Sequence, residues 1–338
     1  MIKENASYDV KYTPIWDIQS INRLHKQYGM SIYYLLSEFN LNPSSYYYKT
    51  RFSLELGNKK SRVVKPRGFC YTITGEKVPD EFVIDKLKEI KSNINALDEN
   101  SYVKVMGSEK LCEFFRKKYG IIINHKKMNR LKHEIGLVGK YTNHPPHPRR
   151  RPKEHVATAP NQYWEMDIKY FKVSNRYIQA FSIIDTFDRK IVATYINYSC
   201  KSIDVIKTIY QALRYRKIDG KKLIIRSDNG TQFTSKVTET FMLNVGITHE
   251  FGYPHNPDCQ AFIESFHASV QREFVPLNTF TSITDFIMKY KVYLKFYHDV
   301  RPHGSLKYMT PNEFGEFYEK NHPKTEENKE KEIILEKK

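Results

Sequence analysis

The spacing of apolar positions changes part-way along the 338-residue chain. In the first part, apolar residues recur at helical spacing, as Met128, Leu131 and Ile135 do in INHKKMNRLKHEIGL. From residue 161 onward, apolar and polar residues alternate with a period of two, so that Trp164 and Met166 share one face of a predicted strand. The chain is therefore predicted to begin with helical modules and to continue with strands and helices.

The second part contains elements in an order typical of an α/β domain. After YWEMDIKYFKV, two strands in RYIQAFSIIDTFDRKIVATYINYS predict an antiparallel meander, and SIDVIKTIYQALRYRK predicts a helix. The short run KKLIIRS is typical of a strand that is buried on both faces. A helix, a strand and a helix then follow in SKVTETFMLNVG, ITHEFGY and CQAFIESFHASVQREF. The last helix carries two stripes, one of Phe262, Phe266 and Val270 and the other of Glu264, His267 and Gln271.

The first part contains a predicted helix pair with a basic surface. SEKLCEFFRKKYGIII reads as an amphipathic helix that ends at Gly120, and the helix around Met128 follows it. Together they resemble a helix-turn-helix whose second helix could enter a DNA groove. The buried stripe leaves four basic residues on the remaining surface: Lys126, Lys127, Arg130 and His133. A solvated basic face without DNA contact is the alternative interpretation.

A second helical module is predicted farther upstream. INRLHKQYGMSIYYLLSEFN has the period of one apolar helix and is followed by the turn NLNP, with Ser44 and Ser45 as candidate N-caps.

The charge distribution indicates a polyanionic partner. The net charge is +17, and residues 104–153 alone hold 14 Lys or Arg against three Glu. Residues 139–160 combine five prolines with basic residues, which predicts a linker whose Arg149, Arg150 and Arg151 could follow DNA phosphates. Four isolated cysteines, and a His144–His147 pair without further ligands, argue against a zinc site. Without an apolar run of membrane length or a signal-peptide core at the N-terminus, a soluble cytoplasmic protein is expected.

Three carboxylates stand at positions where a metal site could form. Asp167 lies on a strand, Asp228 at the carboxyl end of the buried strand in LIIRSDNGTQF, and Glu264 on a helix. Each has an ordinary explanation, because Asp167 could be surface charge, Asp228 could shape a turn and Glu264 could solvate a helix. Together they could hold one or two Mg²⁺ ions beside a phosphate, the arrangement used for in-line phosphoryl transfer.

The motifs around these carboxylates resemble those of a known superfamily. WEMDIKYF, RSDNGTQFTS and AFIESFHASVQREF, with 35 residues between Asp228 and Glu264, are similar to the signature blocks of DDE transposases and retroviral integrases. The similarity is greatest to orfB-type transposases of bacterial insertion sequences. FYHDVRPHGSLKYMTPNEF resembles the closing motif of that group, and the basic helix pair resembles its helix-turn-helix domain.

The resemblance implies a fold, a chemistry and a set of site residues. The fold would be a ribonuclease H-like mixed sheet flanked by helices and preceded by small all-helical modules. Asp167, Asp228 and Glu264 would be the catalytic residues and the ligands of two Mg²⁺ or Mn²⁺ ions. Related enzymes often carry Lys one and two turns after the glutamate, where this chain has Ala268 and Gln271. Candidate DNA contacts in the core are therefore Asn229, Gln232, Lys236, His267 and Arg272, in addition to the basic residues named above.

The predicted domains follow from these assignments. They are an N-terminal helix-turn-helix-like module over residues 1–60, a linker over 61–79, a DNA-binding helix-turn-helix domain over 80–138, the basic linker over 139–160, the catalytic core over 161–318 and a charged tail over 319–338.

The expected function is transposition of a mobile element. The enzyme would bind terminal inverted repeats, cut a strand and join the freed 3′ hydroxyl to target DNA, as a homo-oligomer in the bacterial nucleoid. An upstream reading-frame product is a further expected partner. Two alternatives remain at this stage: a catalytically silent, sequence-specific DNA-binding protein such as a domesticated repressor, and a structure-specific nuclease of the same fold.

Overall fold

The chain divides into two units, Met1–Arg67 and Gly68–Lys338. The computed structural model describes residues 18–39, 41–44, 46–47, 68–137, 156–252 and 260–323. Ser45 and the three arginines at 149–151 lie outside these described residues, as do most of the predicted linkers and the charged tail. Within the described ranges, no helix has both the length and the apolar character needed to cross a bilayer.

The N-terminal unit contains two short helices where one was predicted. The first, α1, covers Ile18–Tyr28, and the second, α2, covers Ile32–Glu38. Gly29 ends the first helix because it adopts a left-handed conformation, with φ of 65°. The apolar positions still form one small core, made of Ile21, Leu35, Leu36 and Tyr46.

The segment 68–137 is not all-helical, contrary to the prediction. Two strands lie within the range predicted as the linker 61–79, and the order of the small antiparallel sheet is β2-β1-β3. The elements are β1 (Phe69–Thr72), β2 (Lys77–Pro79), α3 (Asp80–Ser92), a 3₁₀ helix (Glu99–Val105), α4 (Ser108–Tyr119), β3 (Ile121–Ile122) and α5 (His125–Glu134). The strands were missed because each is only two to four residues long, too short for a period of two to be recognised.

The predicted basic helix pair is present as α4 and α5. Helix α4 ends at Gly120, which is left-handed with φ of 66°, as its sequence predicted. Helix α5 is capped by Asn124, whose side chain accepts a hydrogen bond from the amide of Lys126. Met128 and Leu131 on α5 are fully buried, so the predicted apolar stripe faces the core.

The second part of the chain forms a mixed sheet of five strands, as predicted. Its strands are β4 (Tyr163–Val173), β5 (Arg176–Asp185), β6 (Ile191–Asn197), β7 (Ile224–Ser227) and β8 (Thr248–Phe251). The order is β6-β5-β4-β7-β8. The first three strands form the predicted antiparallel meander, whereas β7 runs parallel to β4 and β8 runs parallel to β7.

Helices and two π-helical turns cover both faces of this sheet. They are α6 (Ser202–Arg216), α7 (Lys236–Val245), α8 (Ala261–Ser269), a π turn (Val270–Phe274), a 3₁₀ turn (Val275–Leu277), α9 (Ile283–Lys295), a π turn (Phe296–Val300), a 3₁₀ turn (Gly304–Leu306) and α10 (Pro311–Asn321). Trp164 and Met166 of β4 pack in one core with α6 and α7. Phe171, farther along β4, packs in the other core with α8 and α9. This layered α/β arrangement is ribonuclease H-like, which confirms the predicted fold class of the core.

The helical segment before the core packs directly on it. The ring of Tyr102 in the 3₁₀ helix is 1% exposed. It contacts the rings of Phe274, Tyr293 and Phe296 at centroid distances of 6.2, 5.4 and 5.5 Å. Its hydroxyl accepts a hydrogen bond from Asn278 Nδ2 at 3.2 Å. Residues 68–137 and one face of the sheet therefore share a single hydrophobic core.

Candidate catalytic site

Asp167 and Asp228 occupy neighbouring positions on two parallel strands. The last paired residues of β4 and β7 are Glu165 and Arg226, and Asp167 and Asp228 each follow two residues later. The charge of Asp167 acts on Asp228, which shows that the two carboxylates are close. Asp228 immediately follows the last residue of β7. The carboxyl ends of parallel strands are where α/β proteins collect ligand-binding groups. The sheet therefore brings together two of the three predicted carboxylates.

Asp228 also shapes the turn that follows β7. Its Oδ1 atom accepts a hydrogen bond from the amide of Gly230 at 3.0 Å. A Cβ atom on Gly230 would lie 2.4 Å from Gln232 Nε2 and 3.0 Å from Asp228 Oδ1, so a side chain there would displace the side chain of Gln232. The turn interpretation of Asp228 is thus correct, but it describes one carboxylate oxygen and does not conflict with a ligand role for the other.

Glu264 lies in the first turn of α8, with an exposed side chain. This helix packs against β4, the strand that carries Asp167. Gln260, the residue before the helix, is 9% exposed. Its Nε2 atom donates hydrogen bonds to the carbonyl of Met166 at 3.1 Å and to that of Arg226 at 3.4 Å. Gln260 therefore joins β4, β7 and the start of α8 beside the two aspartates.

The site has unfavourable electrostatics that a cation would relieve. Loss of water raises the pKa of Asp228, the hydrogen bond from Gly230 lowers it, and the charge of Asp167 raises it, with a net rise above the ordinary value. Oxygen ligands of this kind suit Mg²⁺. In the part of the chain that the structure describes, no three His, Cys, Asp or Glu side chains form a ready-made metal site. The donor set fits a divalent cation through its two adjacent carboxylates, while Glu264 is not gathered with them.

Two further residues lie at this site, and one of them, Glu165, was not assigned to it from the sequence. Glu165 is 3% exposed and accepts hydrogen bonds from the backbone amides of Phe262 and Ile263. His267, predicted on the polar stripe of α8 and as a DNA contact, is 4% exposed, and its Nδ1 atom lies 3.2 Å from Asp167 Oδ2. His267 is therefore buried beside the carboxylate of Asp167, and its role as a DNA contact stays a prediction.

Comparisons with known proteins agree with this architecture. The integrase core domain family matches residues 157–257, and a second family of the same description matches residues 245–311. The uncharacterized 31.7 kDa protein of insertion element IS407 from Burkholderia multivorans is 27% identical over 205 residues, which are 58% of this chain and 70% of that protein. The transposase of insertion sequence IS904 from Lactococcus lactis is 26% identical over 210 residues, which are 59% and 83% of the two chains.

The chain therefore carries, over residues 157–311, an integrase core domain of the kind found in DDE transposases of insertion elements. It is thus an enzyme of the DDE polynucleotidyl transferase class. A solved structure of the HTLV-2 integrase catalytic core domain in complex with magnesium is 17% identical, covers 47% of this chain and 99% of that domain, and has a TM-score of 0.37.

The other predicted DNA contacts of this transposase core lie near the end of β7 or beyond Glu264. Asn229 is exposed and its Nδ2 atom donates to the carbonyl of Gly252 at 3.5 Å, and Gln232 is half-buried in the same turn. Lys236 is exposed at the first position of α7. Arg272 is exposed in the π turn that follows α8. These side chains, unlike His267, are accessible to a ligand.

Two of the predicted DNA contacts on α5, Lys127 and Arg130, are engaged within the protein. Lys127 Nζ lies 2.5 Å from Asp80 Oδ1 and donates to the carbonyl of Phe69 at 2.7 Å. Arg130 lies 3.3 Å from the other oxygen of Asp80. Lys126 is exposed. The basic face of this helix therefore serves partly to fix it against β1 and α3.

The closing motif of the transposase is largely structural. Arg301 is buried and donates to both carboxylate oxygens of Glu273, at 2.7 and 2.8 Å, and to Ser269 Oγ at 3.1 Å. His298 Nε2 accepts the amide of Ile191 at 2.9 Å, and burial lowers the pKa of this histidine to about 4, which keeps its ring neutral. These contacts tie the C-terminal segment to α8 and to β6.

Proposed function

We propose that this transposase cuts DNA at the terminal inverted repeats of a mobile element and joins the freed 3′ hydroxyl to a target strand. The observation that carries the proposal is the proximity of Asp167, on β4, to Asp228, which directly follows the parallel strand β7 of an integrase core domain. The helix of Glu264 packs on the same strand as Asp167. A transposase with this core needs DNA as its substrate, and the net charge of +17 suits such a partner.

Asp167, Asp228 and Glu264 would hold the divalent cations. When bound, two Mg²⁺ or Mn²⁺ ions would activate the attacking oxygen and stabilise the leaving oxygen of an in-line displacement. The contribution of the protein is to fix the carboxylates. The parallel pairing of β4 with β7 brings Asp167 near Asp228, and the Gly230 amide holds one oxygen of Asp228. Gln260 holds the start of the glutamate helix against both strands.

Accessible residues around the carboxylates would position the DNA. Lys236 begins α7 and Arg272 lies about two turns beyond Glu264, so both could bind phosphates of the element end. Asn229 and Gln232, in the turn after Asp228, are placed to contact the same strand. Lys126 on α5, with Arg149, Arg150 and Arg151 outside the described residues, would contribute contacts farther from the chemistry.

The proposed reaction also implies assembly on DNA. Two element ends must meet before they are joined to a target, so we expect a homo-oligomer on DNA. The proposal includes an upstream reading-frame product that improves recognition of the repeats. Binding of chromosomal DNA in a bacterial nucleoid follows from the same function.

Substitution of Asp228 by Asn tests the proposal. Asn keeps an oxygen that can accept the Gly230 amide, but it loses the charge that would hold a cation. Because the pKa of Asp228 is raised, its ionised form is disfavoured in the folded state, so the variant should be at least as stable as the wild type near pH 7. Cleavage and strand transfer on a labelled terminal-repeat duplex in Mg²⁺ or Mn²⁺ should fall by more than about 100-fold.

The controls separate a catalytic role from a role in the turn. Asp167→Asn and Glu264→Gln should abolish activity in the same way, and a double variant should be little worse than either, since residues that act as a unit are not additive. DNA binding in a gel-shift assay should be retained by all three. An Asp228→Asn variant that is folded and active would exclude the proposed metal site. Cleavage without joining by the wild-type chain would instead favour a nuclease.

A further inference from the structure

Strand β4 and helix α8 are linked at two points that flank the predicted catalytic carboxylates. The first link runs from the strand to the helix. Glu165 Oε2 accepts the amide of Phe262 at 2.8 Å and the amide of Ile263 at 2.9 Å. These amides belong to the first turn of the helix, where backbone donors have no partner within the helix itself. Gln260, which occupies the N-cap position, makes no capping hydrogen bond with its side chain, so the strand supplies this function.

The second link runs from the helix to the strand. His267 lies one turn after Glu264, and its Nδ1 atom is 3.2 Å from Asp167 Oδ2. Among the described residues, its Nε2 atom has no hydrogen-bond partner and no access to solvent. The Nδ1 edge of the ring is therefore the one that contacts a polar group, the carboxylate of Asp167.

We propose that Glu165 and His267 are positioning residues that set the separation and orientation of Asp167 and Glu264. This inference rests on the proposed function, because it assigns a role relative to the same site. Glu165 stands two residues before Asp167 and therefore on the same face of β4. The amides that it binds directly precede Glu264 along the chain. Asp167 is thus two residues from Glu165, and Glu264 directly follows Ile263, whose amide Glu165 binds.

The surroundings of Glu165 support this role over that of a metal ligand. Its side chain is buried at 3% exposure, and one oxygen is already shared by two amides. The positive charge of Arg189 lies close enough to interact with it, and the Arg189 guanidinium stacks on the ring of Phe262 at 3.6 Å. The helix N-terminus and this arginine compensate the buried charge, so Glu165 needs no cation.

Metal sites depend on residues that hold the ligands. Loss of such a partner typically weakens metal binding or activity by about 10–100-fold, because the ligand keeps its chemistry but not its direction. Both links should affect the affinity of the site for the metal ion, since one fixes the helix of Glu264 and the other fixes Asp167. A cap that only stabilised the helix would change unfolding without changing the response to metal.

The test uses two pairs of variants in the full chain. Glu165→Ala removes the acceptor, and Glu165→Gln keeps an oxygen for the two amides. His267→Phe keeps a buried ring without a donor, and His267→Asn keeps a donor near the position of Nδ1. Ser282→Ala is the matched control. Ser282 caps α9 by accepting a hydrogen bond from the amide of Asp285 at 3.1 Å, so this substitution removes a helix cap on a different element.

Two measurements are made on each variant, with Mn²⁺ alone as the probe. Backbone hydrogen exchange of residues 261–269 should accelerate in Glu165→Ala, and Glu165→Gln should reverse most of this change. The Mn²⁺ concentration for half-maximal increase in melting temperature should rise about 10-fold or more in Glu165→Ala and His267→Phe. Glu165→Gln and His267→Asn should recover most of the wild-type value. Ser282→Ala should change the melting temperature but not this concentration.

The outcomes distinguish the positioning role from the proposed function. The proposal would be overturned if the half-saturating Mn²⁺ concentrations of Glu165→Ala and His267→Phe both lay within twofold of that of the Ser282→Ala control. If Glu165→Ala does not fold, the His267 pair and Glu165→Gln decide in the same way. If the melting temperature of the wild type did not respond to Mn²⁺, the metal site of the proposed function would be contradicted. In that case, unchanged backbone hydrogen exchange of residues 261–269 in Glu165→Ala would still refute the link between Glu165 and the helix.

Discussion

Replacement of Arg301 in the closing motif should destabilise the transposase core strongly. The side chains of Arg301 and Glu273 are 6% and 7% exposed, and the arginine donates to both oxygens of the carboxylate. Arg301→Met keeps the length of the side chain but leaves Glu273 buried with the hydroxyl of Tyr293 at 3.2 Å. Arg272, at 3.7 Å, is exposed and compensates little. Loss of one partner of a buried pair costs about 3–5 kcal/mol, a large part of a typical stability of about 5–15 kcal/mol.

The loss of unfolding free energy in Arg301→Met should become smaller as the pH falls. In the wild type, burial acts to raise the pKa of Glu273, but the hydrogen bonds and charge of Arg301, together with Lys110 and Arg272, bring it below its ordinary value. Without Arg301, burial prevails and the pKa rises above that of the unfolded chain. Protonation then favours the folded variant, so its deficit relative to the wild type should shrink as pH falls from about 7 to about 5.5.

Urea unfolding of the full chain at the two pH values measures this deficit. The double variant Glu273→Gln with Arg301→Met should recover more than half of the loss at pH 7, because it leaves no unpaired charge in the core. Arg272→Met is the control, since Arg272 is 67% exposed and should cost less than about 1 kcal/mol. A loss below about 1 kcal/mol for Arg301→Met, or a deficit that does not change with pH, would refute this account of the closing motif.

Two further predictions concern the segment before the core. Lys126→Glu should weaken binding to terminal-repeat DNA in a gel-shift assay without lowering the melting temperature. Lys127→Glu should lower both the DNA affinity and the melting temperature, because Lys127 is paired with Asp80. Equal melting temperatures for the two variants would contradict this prediction. Tyr102→Ala should lower the free energy of unfolding by about 3–5 kcal/mol, because its ring lies in the core that residues 68–137 share with the sheet. These two parts should still unfold in a single transition. Separate transitions of the two parts in urea would show that residues 68–137 unfold independently.

The regular elements of the core could be predicted from the sequence because their periods are long and unmixed. β4 and β5 are eleven and ten residues long, and their pairing as a meander follows from the short turn between them. The short strand β7, which ends at Ser227, was recognised by its apolar run and its position before Asp228. The assignment of Asp167 and Asp228 to one site needed the resemblance, since periodicity does not give the order of strands in a sheet.

The contacts between distant parts of the chain could not be predicted in this way. Tyr102 and Phe274 are in one core although they are far apart in sequence, and a solvated helical module would have the same apolar stripes. The same limit applies to His267, which shares a helical stripe with Glu264 but is covered by the sheet. A polar residue on a polar stripe gives no signal that a buried carboxylate lies opposite. Glu165 likewise gives no such signal, because it falls on a polar position of the alternating strand β4.

The departure from the superfamily pattern after Glu264 has a physical explanation in the π turn at Val270–Phe274. Counting 3.6 residues per turn from Glu264 places Gln271 two turns away on the same face, where related enzymes often carry lysine. A π turn holds one more residue than an α turn, so positions after Ser269 lag behind this count. Arg272 should therefore fall closer to the face of Glu264 than it would in a regular helix, and we expect Arg272 to supply the positive charge that Gln271 lacks. No residue in this stretch marks a π turn in advance, since the sequence is compatible with a continuous helix.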